Sequence, residues 1–283
     1  MKKTFTRRAA LSTALAALGS SAFAVAPLNS SRPIARPGVS SGFLDGAVSI
    51  VRSFSFKGQV SCALIDPETG VFLDAYFPET ELPPASVTKA LTAAYGLQEL
   101  GRDFQFITRL SLQGRVTNRE LVGDVILTGS ADPTFHTDDL VNFAKALQKT
   151  GIQRIKGRLL IVDNGFPYLH EIDSSQLPQD NYNPAIAGVN LNLNRVQFEW
   201  VRQAGGGYDL SMSAPGRIYR PQIPSIGIRV EERDAPSYAY QYASKREEWS
   251  VQRSALRKDG ARWLPARNPR RYAGEAFQVI CAE

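Results

Sequence analysis

The sequence predicts an α+β fold, a β-hairpin and a helix followed by a largely β region. Three observations carry this. Residues 58–79, "GQVSCALIDPETGVFLDAYFPE", alternate on both sides of a Pro/Gly turn. A run of helical periodicity follows directly, from Ala85 to Leu100. Beyond Gly101 the pattern changes to short strand-like stretches broken by turns, with one amphipathic helix among them.

The first stretch reads as a hairpin closed by "DPETG". Pro83 and Pro84 then stop the extended chain. Ala90, Leu91, Ala94, Leu97 and Leu100 recur at helical spacing, and Gly101 is placed to end the helix. "QFITRLSLQGRVTNRELVGDVILTG" reads as consecutive short strands. "TDDLVNFAKALQKTG" reads as an amphipathic helix capped by Thr137 or Asp138, and "IQRIKGRLLIVD" returns to strand. "VNLNLNRVQFEWVRQAGGGYDLSMSA" reads as a hairpin about Gly205-Gly206-Gly207, a run without phosphate-loop spacing. "IGIRVEE" and "EEWSVQRSA" add strands. The final "NPRRYAGEAFQVICAE" is helical, with Tyr272, Ala276, Phe277 and Ile280 on one face.

The first 24 residues have a different character. Lys2, Lys3, Arg7 and Arg8 precede an apolar run, Ala9 to Leu18, and Ala22-Phe23-Ala24 has the small-x-small form of a cleavage site. Residues 1–24 therefore read as a secretory signal peptide, with Arg7-Arg8 also compatible with twin-arginine export. Residues 25–41, rich in Pro and Ser, read as a flexible lead-in. The expected location is the periplasm or extracytoplasmic cell wall. No later segment is long and apolar enough to span a membrane.

The formal charge of +6 includes four positive residues in the leader, so the remainder carries 6 − 4 = +2. That is too mild for a nucleic-acid partner. Lys245 to Arg271 holds nine Lys/Arg and three Asp/Glu, either a solvated face or a contact with an anionic surface. The two cysteines, Cys62 and Cys281, could pair, although one lies in a strand-like stretch and the other near the end. His136 and His170 are the only histidines, and no Cys/His spacing suggests a metal or cofactor.

The chemistry-bearing motif is "PASVTK". Ser86 and Lys89 stand three apart at a helix start, so hydroxyl and amine share a face. A neutral lysine can take the serine proton, and a helix N-terminus offers a positive field and free N–H groups. The same spacing also fits an N-cap serine beside a solvated lysine.

With its context the motif resembles the penicillin-recognising serine peptidases. More narrowly, it resembles the D-alanyl-D-alanine carboxypeptidase/endopeptidase family of class C low-molecular-weight penicillin-binding proteins. The likeness runs from about Gly42 to the end. It is carried by "IDPETGVFLDAY", "PASVTKALTAAYGLQELG", "GDVILTGSADPTF", "YNPAIAGVNLNLNRVQFEW" and "WLPARNPRRYAGEAF". The resemblance implies a penicillin-binding transpeptidase-type fold, a helix-flanked antiparallel sheet carrying a largely β insertion, with residues 42–103 as the first part of the catalytic domain. Residues 104–240 would form the inserted β-rich region, and 241–283 the return toward the catalytic domain.

The resemblance further implies Ser86 as nucleophile and Lys89 as general base. Peptidoglycan stem peptides and cross-links would be substrates, and β-lactams acylating inhibitors. Asp132 in "GSADPT" would hold the ammonium of a diamino acid in the stem peptide; a turn aspartate ahead of Pro133 is the alternative.

Two further motifs are expected of that chemistry, Ser-x-Asn and a strand-edge Lys-Thr-Gly. No Ser-x-Asn occurs in the sequence. Lys149-Thr150-Gly151 matches the second motif in letters but sits where an amphipathic helix ends. The chain therefore reads as the N-terminal part of a longer enzyme. It is expected to be inactive alone, with a protease-resistant core between Phe104 and Tyr240 and with Tyr272, Phe277 and Ile280 exposed. The alternative is a non-catalytic fragment or pseudoenzyme whose inserted domain binds peptidoglycan or a partner. A serine β-lactamase is disfavoured by the long insertion.

Overall fold

The computed structural model describes residues 46–55 and 57–283; the expected leader and lead-in lie outside the described residues. The chain forms two units, one up to Phe104 and one spanning Gln105–Glu283.

In the first unit, helix α1 (Ala47–Ser53) precedes strands β1 (Cys62–Ile65) and β2 (Phe72–Tyr76), which pair antiparallel. The turn closes because the Asp66 carboxylate accepts from the backbone N–H groups of Glu68 and Thr69. Asp74 on β2 accepts from Ala47 N at 2.6 Å, tying the start of α1 to the hairpin. After a 3₁₀ turn, Ala85–Val87, helix α2 runs over Thr88–Leu100. None of the described residues from 46 to 104 is buried. Leu91, Tyr95 and Leu97 of α2 and Leu64, Phe72 and Leu73 of the hairpin are all exposed.

The second unit has a continuous core. Strands β3 (Arg109–Thr117) and β4 (Glu120–Thr128) form an antiparallel ribbon. Helix α3 (Thr137–Lys149) then carries the chain over to β5 (Arg154–Lys156) and β6 (Leu159–Val162), which both run parallel to β4. Parallel pairing requires such a crossover. β4 alternates accordingly, with Leu121, Val125 and Leu127 buried on one face.

A second sheet has the order β12-β7-β8, with β7 (Arg195–Arg202), β8 (Tyr208–Ser213) and β12 (Gly260–Pro265) antiparallel. A third has the order β10-β11-β9, formed by β9 (Ile226–Glu231), β10 (Tyr238–Ala243) and β11 (Arg246–Gln252). Here β11 is parallel to β9 and antiparallel to β10.

Helix α4 (Pro269–Ala282) packs on α3, β6 and the 3₁₀ turn at 191–194. Tyr272, Ala276, Phe277 and Ile280 are buried in the common core with Leu140, Leu191, Phe198, Trp249 and Leu264. This corrects the expectation that the final helix shows an apolar patch to solvent. The helix is amphipathic as its periodicity predicts, and its apolar face is covered from within the same unit. A fully buried aromatic or aliphatic side chain of this kind contributes about 1.5–3 kcal/mol.

Residues 164–190 contain little regular structure. Arg267, 4% exposed, gathers them. Its guanidinium donates to the carbonyls of His170, Pro178 and Asn183 at 2.8–3.1 Å. Glu247, 2% exposed, fixes the start of α4 by accepting from Arg267 N at 2.7 Å and Asn268 N at 2.8 Å. Burial pushes its carboxyl up to about 7, against the opposing pull of those two N–H groups and of Arg267 and Arg271.

Candidate active site

Ser86 lies in the 3₁₀ turn between Pro84 and α2, and Lys89 in the first turn of α2. Lys89 Nζ donates to Ser86 Oγ at 2.9 Å. Both side chains are exposed. Pro84 ends the extended chain and accepts from Val87 N at 2.9 Å, which starts the turn. Ala85, immediately before the serine, has φ of 44°. A residue with a Cβ in that region carries strain of order 1–2 kcal/mol, and such positions cluster at functional sites. The pair is therefore preformed within one local segment. The hydroxyl, an amine able to act as its base, and a helix N-terminus all converge there.

Lys149 and Thr150 end α3, and Gly151 follows at φ of 76°. Thr150 N and Oγ1 both donate to Leu147 O. This Lys-Thr-Gly is a helix stop and lies on no strand.

Asp132 lies in the second unit, in the loop between β4 and α3. Its Oδ1 accepts from Thr134 N at 2.8 Å and Thr134 Oγ1 at 2.7 Å, so it is a turn aspartate. The other carboxylate oxygen, Oδ2, makes no hydrogen bond within the described residues.

The loop carrying Asp132 is held by residues 187–195, "AGVNLNLNR". Ala131 N donates to Gly188 O at 2.7 Å, and Asn192 N to Phe135 O at 2.9 Å. Asn192 Oδ1 accepts from Thr137 N, and its Nδ2 donates to Thr137 Oγ1. Asn192, Leu193 and Asn194 take positive φ in succession, 51°, 59° and 51°. Asn194 Nδ2, donating to Ala185 O and Asn190 Oδ1, stabilises this run, as does Tyr272 OH, donating to Arg195 O. α3 is capped by His136 rather than by Thr137 or Asp138: His136 N donates to Asp139 Oδ2, and Nδ1 lies 2.7 Å from the same oxygen.

The basic stretch from Lys245 to Arg271 is no single surface. Arg267 is buried, and Arg246, Arg253, Arg270 and Arg271 face Glu248, Glu232, Asp163 and Glu275. Cys62 and Cys281 are both free thiols. Among the described residues, no group of three or more His, Cys, Asp or Glu could hold a metal ion, and no helix is long and apolar enough to cross a membrane.

Comparison with known proteins adds an independent line. The model of the D-Ala-D-Ala carboxypeptidase 3 (S13) family matches residues 56–275. A D-alanyl-D-alanine carboxypeptidase of an Actinomadura species is 32% identical over 133 residues, covering 47% of this chain and 24% of that protein. The D-alanyl-D-alanine carboxypeptidase DacB of Haemophilus influenzae is 33% identical over 155 residues, covering 53% and 30%. The crystal structure of penicillin binding protein 4 from Haemophilus influenzae superposes with a TM-score of 0.57 at 23% identity, over 76% of this chain and 48% of that one. A second structure of that protein, complexed with a β-lactam, gives 0.52 at 22% identity. The α+β fold is thus shared, and each match spans less than half of the protein matched.

Proposed function

The chain belongs to the D-Ala-D-Ala carboxypeptidase 3 (S13) family, and from that premise we propose that Ser86 is the nucleophile, and Lys89 the general base, of a serine-type D-alanyl-D-alanine carboxypeptidase/endopeptidase. The observation that carries this is the 2.9 Å hydrogen bond from Lys89 Nζ to Ser86 Oγ at a helix start. In its neutral form Lys89 takes the hydroxyl proton as Oγ attacks the carbonyl carbon between two D-alanines. The tetrahedral intermediate collapses as the leaving amine accepts that proton, and an ester to Ser86 remains. Water, deprotonated by neutral Lys89, then attacks the ester, and the proton passes from Lys89 to Ser86 Oγ as the acid leaves. A β-lactam would enter the same path as an acylating inhibitor.

Peptidoglycan stem peptides and cross-links are the proposed substrates, and Asp132 Oδ2, without a hydrogen bond among the described residues, is the proposed acceptor for a substrate ammonium. The proposal includes export to the periplasm or cell wall, supported by the leader pattern of residues 1–24.

A second reading is favoured by one observation: the sequence contains no Ser-x-Asn, and its Lys-Thr-Gly stops a helix. On that reading the chain is non-catalytic, and its β-rich region binds peptidoglycan or a partner.

Covalent labelling by a tagged penicillin separates the two. When a Ser-x-Asn and a strand-borne Lys-Thr-Gly are supplied, in the same frame or as a second polypeptide, label is expected on Ser86. It should be lost in Ser86→Ala and kept in Lys149→Ala. The 283-residue chain by itself is expected to take no label. Label that survives Ser86→Ala would overturn the assignment, and a complemented chain that stays unlabelled decides for the second reading.

A further inference from the structure

β10 reads "YAYQYA", with tyrosines at 238, 240 and 242. Alternate residues of a strand share a face, so all three stand on the same side, over Val251, Trp249 and Glu247 of β11. β10 is an edge strand. Exposure rises along it, from 5% at Tyr238 to 57% at Tyr242. At the exposed end the tyrosines meet a cleft of about 380 Å³. Tyr168, His170, Asn268 and Arg270 complete its wall.

The polar groups there are unevenly committed. Tyr168 OH donates to Arg267 O at 2.8 Å and lies 3.1 Å from His170 Nδ1. Its single proton being used, the His170 Nδ1–H is assigned as donor to it, and Nε2 is left as an acceptor. Asn268 Oδ1 accepts from Arg271 N, which leaves its amide N–H groups. Arg270 faces Asp163 only at 3.5 Å and is 63% exposed. The hydroxyls of Tyr240 and Tyr242 make no hydrogen bond within the described residues. Burial raises the Tyr240 phenol well above its ordinary value, so it stays a donor. The Tyr240 ring is fixed between Trp249 and His170, at 5.1 and 6.3 Å.

A site with ring faces, unsatisfied hydroxyl and amide donors, an imidazole acceptor and one exposed, loosely paired cation has a defined chemical complement. It is a ligand with apolar ring faces, peripheral hydroxyl or acetamido groups, and one negative charge. We propose that this cleft binds a carbohydrate bearing a carboxylate. Tyr242 is the stacking platform, Tyr240 and Asn268 bind the sugar's polar substituents, and Arg270 pairs with the acid. Arg270, 3.5 Å from Asp163, is the one exposed cation in the wall of this cleft, which argues against a polyanion such as nucleic acid, which needs several. The proposal deepens the binding role in the second reading above, yet it holds whether or not Ser86 is acylated.

The test is titration of the full chain with N-acetylmuramic acid and with N-acetylglucosamine, which lacks the carboxylate, followed by calorimetry or NMR. N-acetylmuramic acid is expected to bind more tightly. Tyr242→Ala and Arg270→Ala should each weaken it about tenfold. Tyr240→Phe, which keeps the ring, should weaken both sugars, whereas Arg270→Ala should leave N-acetylglucosamine unchanged. Ser86→Ala should bind as the wild type does, which separates this site from the acylation chemistry. The proposal is overturned if neither sugar binds at millimolar concentration, if Tyr242→Ala binds as tightly as wild type while its circular dichroism is native, or if an oligonucleotide or stem peptide occupies the cleft in preference to the sugars.

Discussion

Gly129 and Gly188 meet backbone to backbone: a Cβ on Gly129 would stand 2.1 Å from the carbonyl oxygen of Gly188. Gly188 is equally confined on its other side, where a Cβ would lie 2.3 Å from Asp163 O. Both obstacles are main-chain atoms, so no rotamer change relieves them. Gly188→Ala is expected to destabilise the second unit by about 1–3 kcal/mol. Gly205→Ala, with nothing within 4 Å of its Cβ, should be close to neutral. Chemical denaturation of the two variants checks this, and equal midpoints would contradict the close-approach argument.

Lys89→Ala removes the partner of Ser86 Oγ without touching a buried residue. In the complemented preparation, the acylation rate is expected to fall by about 10²–10⁴, with thermal stability unchanged. Stopped-flow labelling measures the first and differential scanning fluorimetry the second. An unchanged rate would remove Lys89 from the chemistry.

Glu247 titrates at about 7 in the folded chain, above its ordinary value of 4.5. The folded state therefore binds that proton more tightly than the unfolded state. Its stabilising contribution is complete below about pH 4.5 and is lost as pH rises through 7. Glu247→Gln should flatten the pH dependence of unfolding across that window, by at most about 3 kcal/mol. Parallel pH profiles would show that Glu247 is not the titrating group.

Limited proteolysis should digest residues 46–104 early, since none of those described is buried. The resistant fragment is expected to extend from near Gln105 to the C-terminal helix. It should not stop near Tyr240, because β11, β12 and α4 are built into the same core. Mass spectrometry of the fragment decides, and a boundary near 240 would show that residues 241–283 are loosely held.

Export should remove the leader after Ala24. N-terminal sequencing of the secreted chain is expected to start at Val25, and a mature chain still beginning at Met1 would exclude the reading.

Local signals made much of this legible. The Pro83-Pro84 stop, the periodicity of α2 and the turn chemistry of Asp66 depend on neighbours in sequence, and the Ser86–Lys89 contact follows from helical spacing alone. The helix-stop role of Lys149-Thr150-Gly151 was equally local. What escaped depends on partners distant in sequence. β12 and β10 were not anticipated: "GARWLP" has a glycine at its start and a proline at its end, and "YAYQYA" places alanine and glutamine between its tyrosines. Only pairing with β7 and β11 makes them strands. The parallel register of β4 with β5 and β6 is likewise tertiary. So is the cover over Tyr272 and Phe277, because an amphipathic face states that it will be covered and not by what. The tyrosine stripe was readable in principle from its period of two.

The grip of Arg267 on the carbonyls of His170, Pro178 and Asn183 also has a temporal meaning. The clamp is made by a residue that emerges from the ribosome some eighty residues after the last carbonyl it holds. Until then residues 164–190 have little regular structure to settle into beyond the antiparallel bridge between Leu169 and Ile186. Residues 164–190 therefore cannot become native before Arg267 is made, and in refolding they wait on closure of the long loop between Asn183 and Arg267. Their amides should be the slowest of the unit to gain protection in a pulse-labelled hydrogen-exchange experiment.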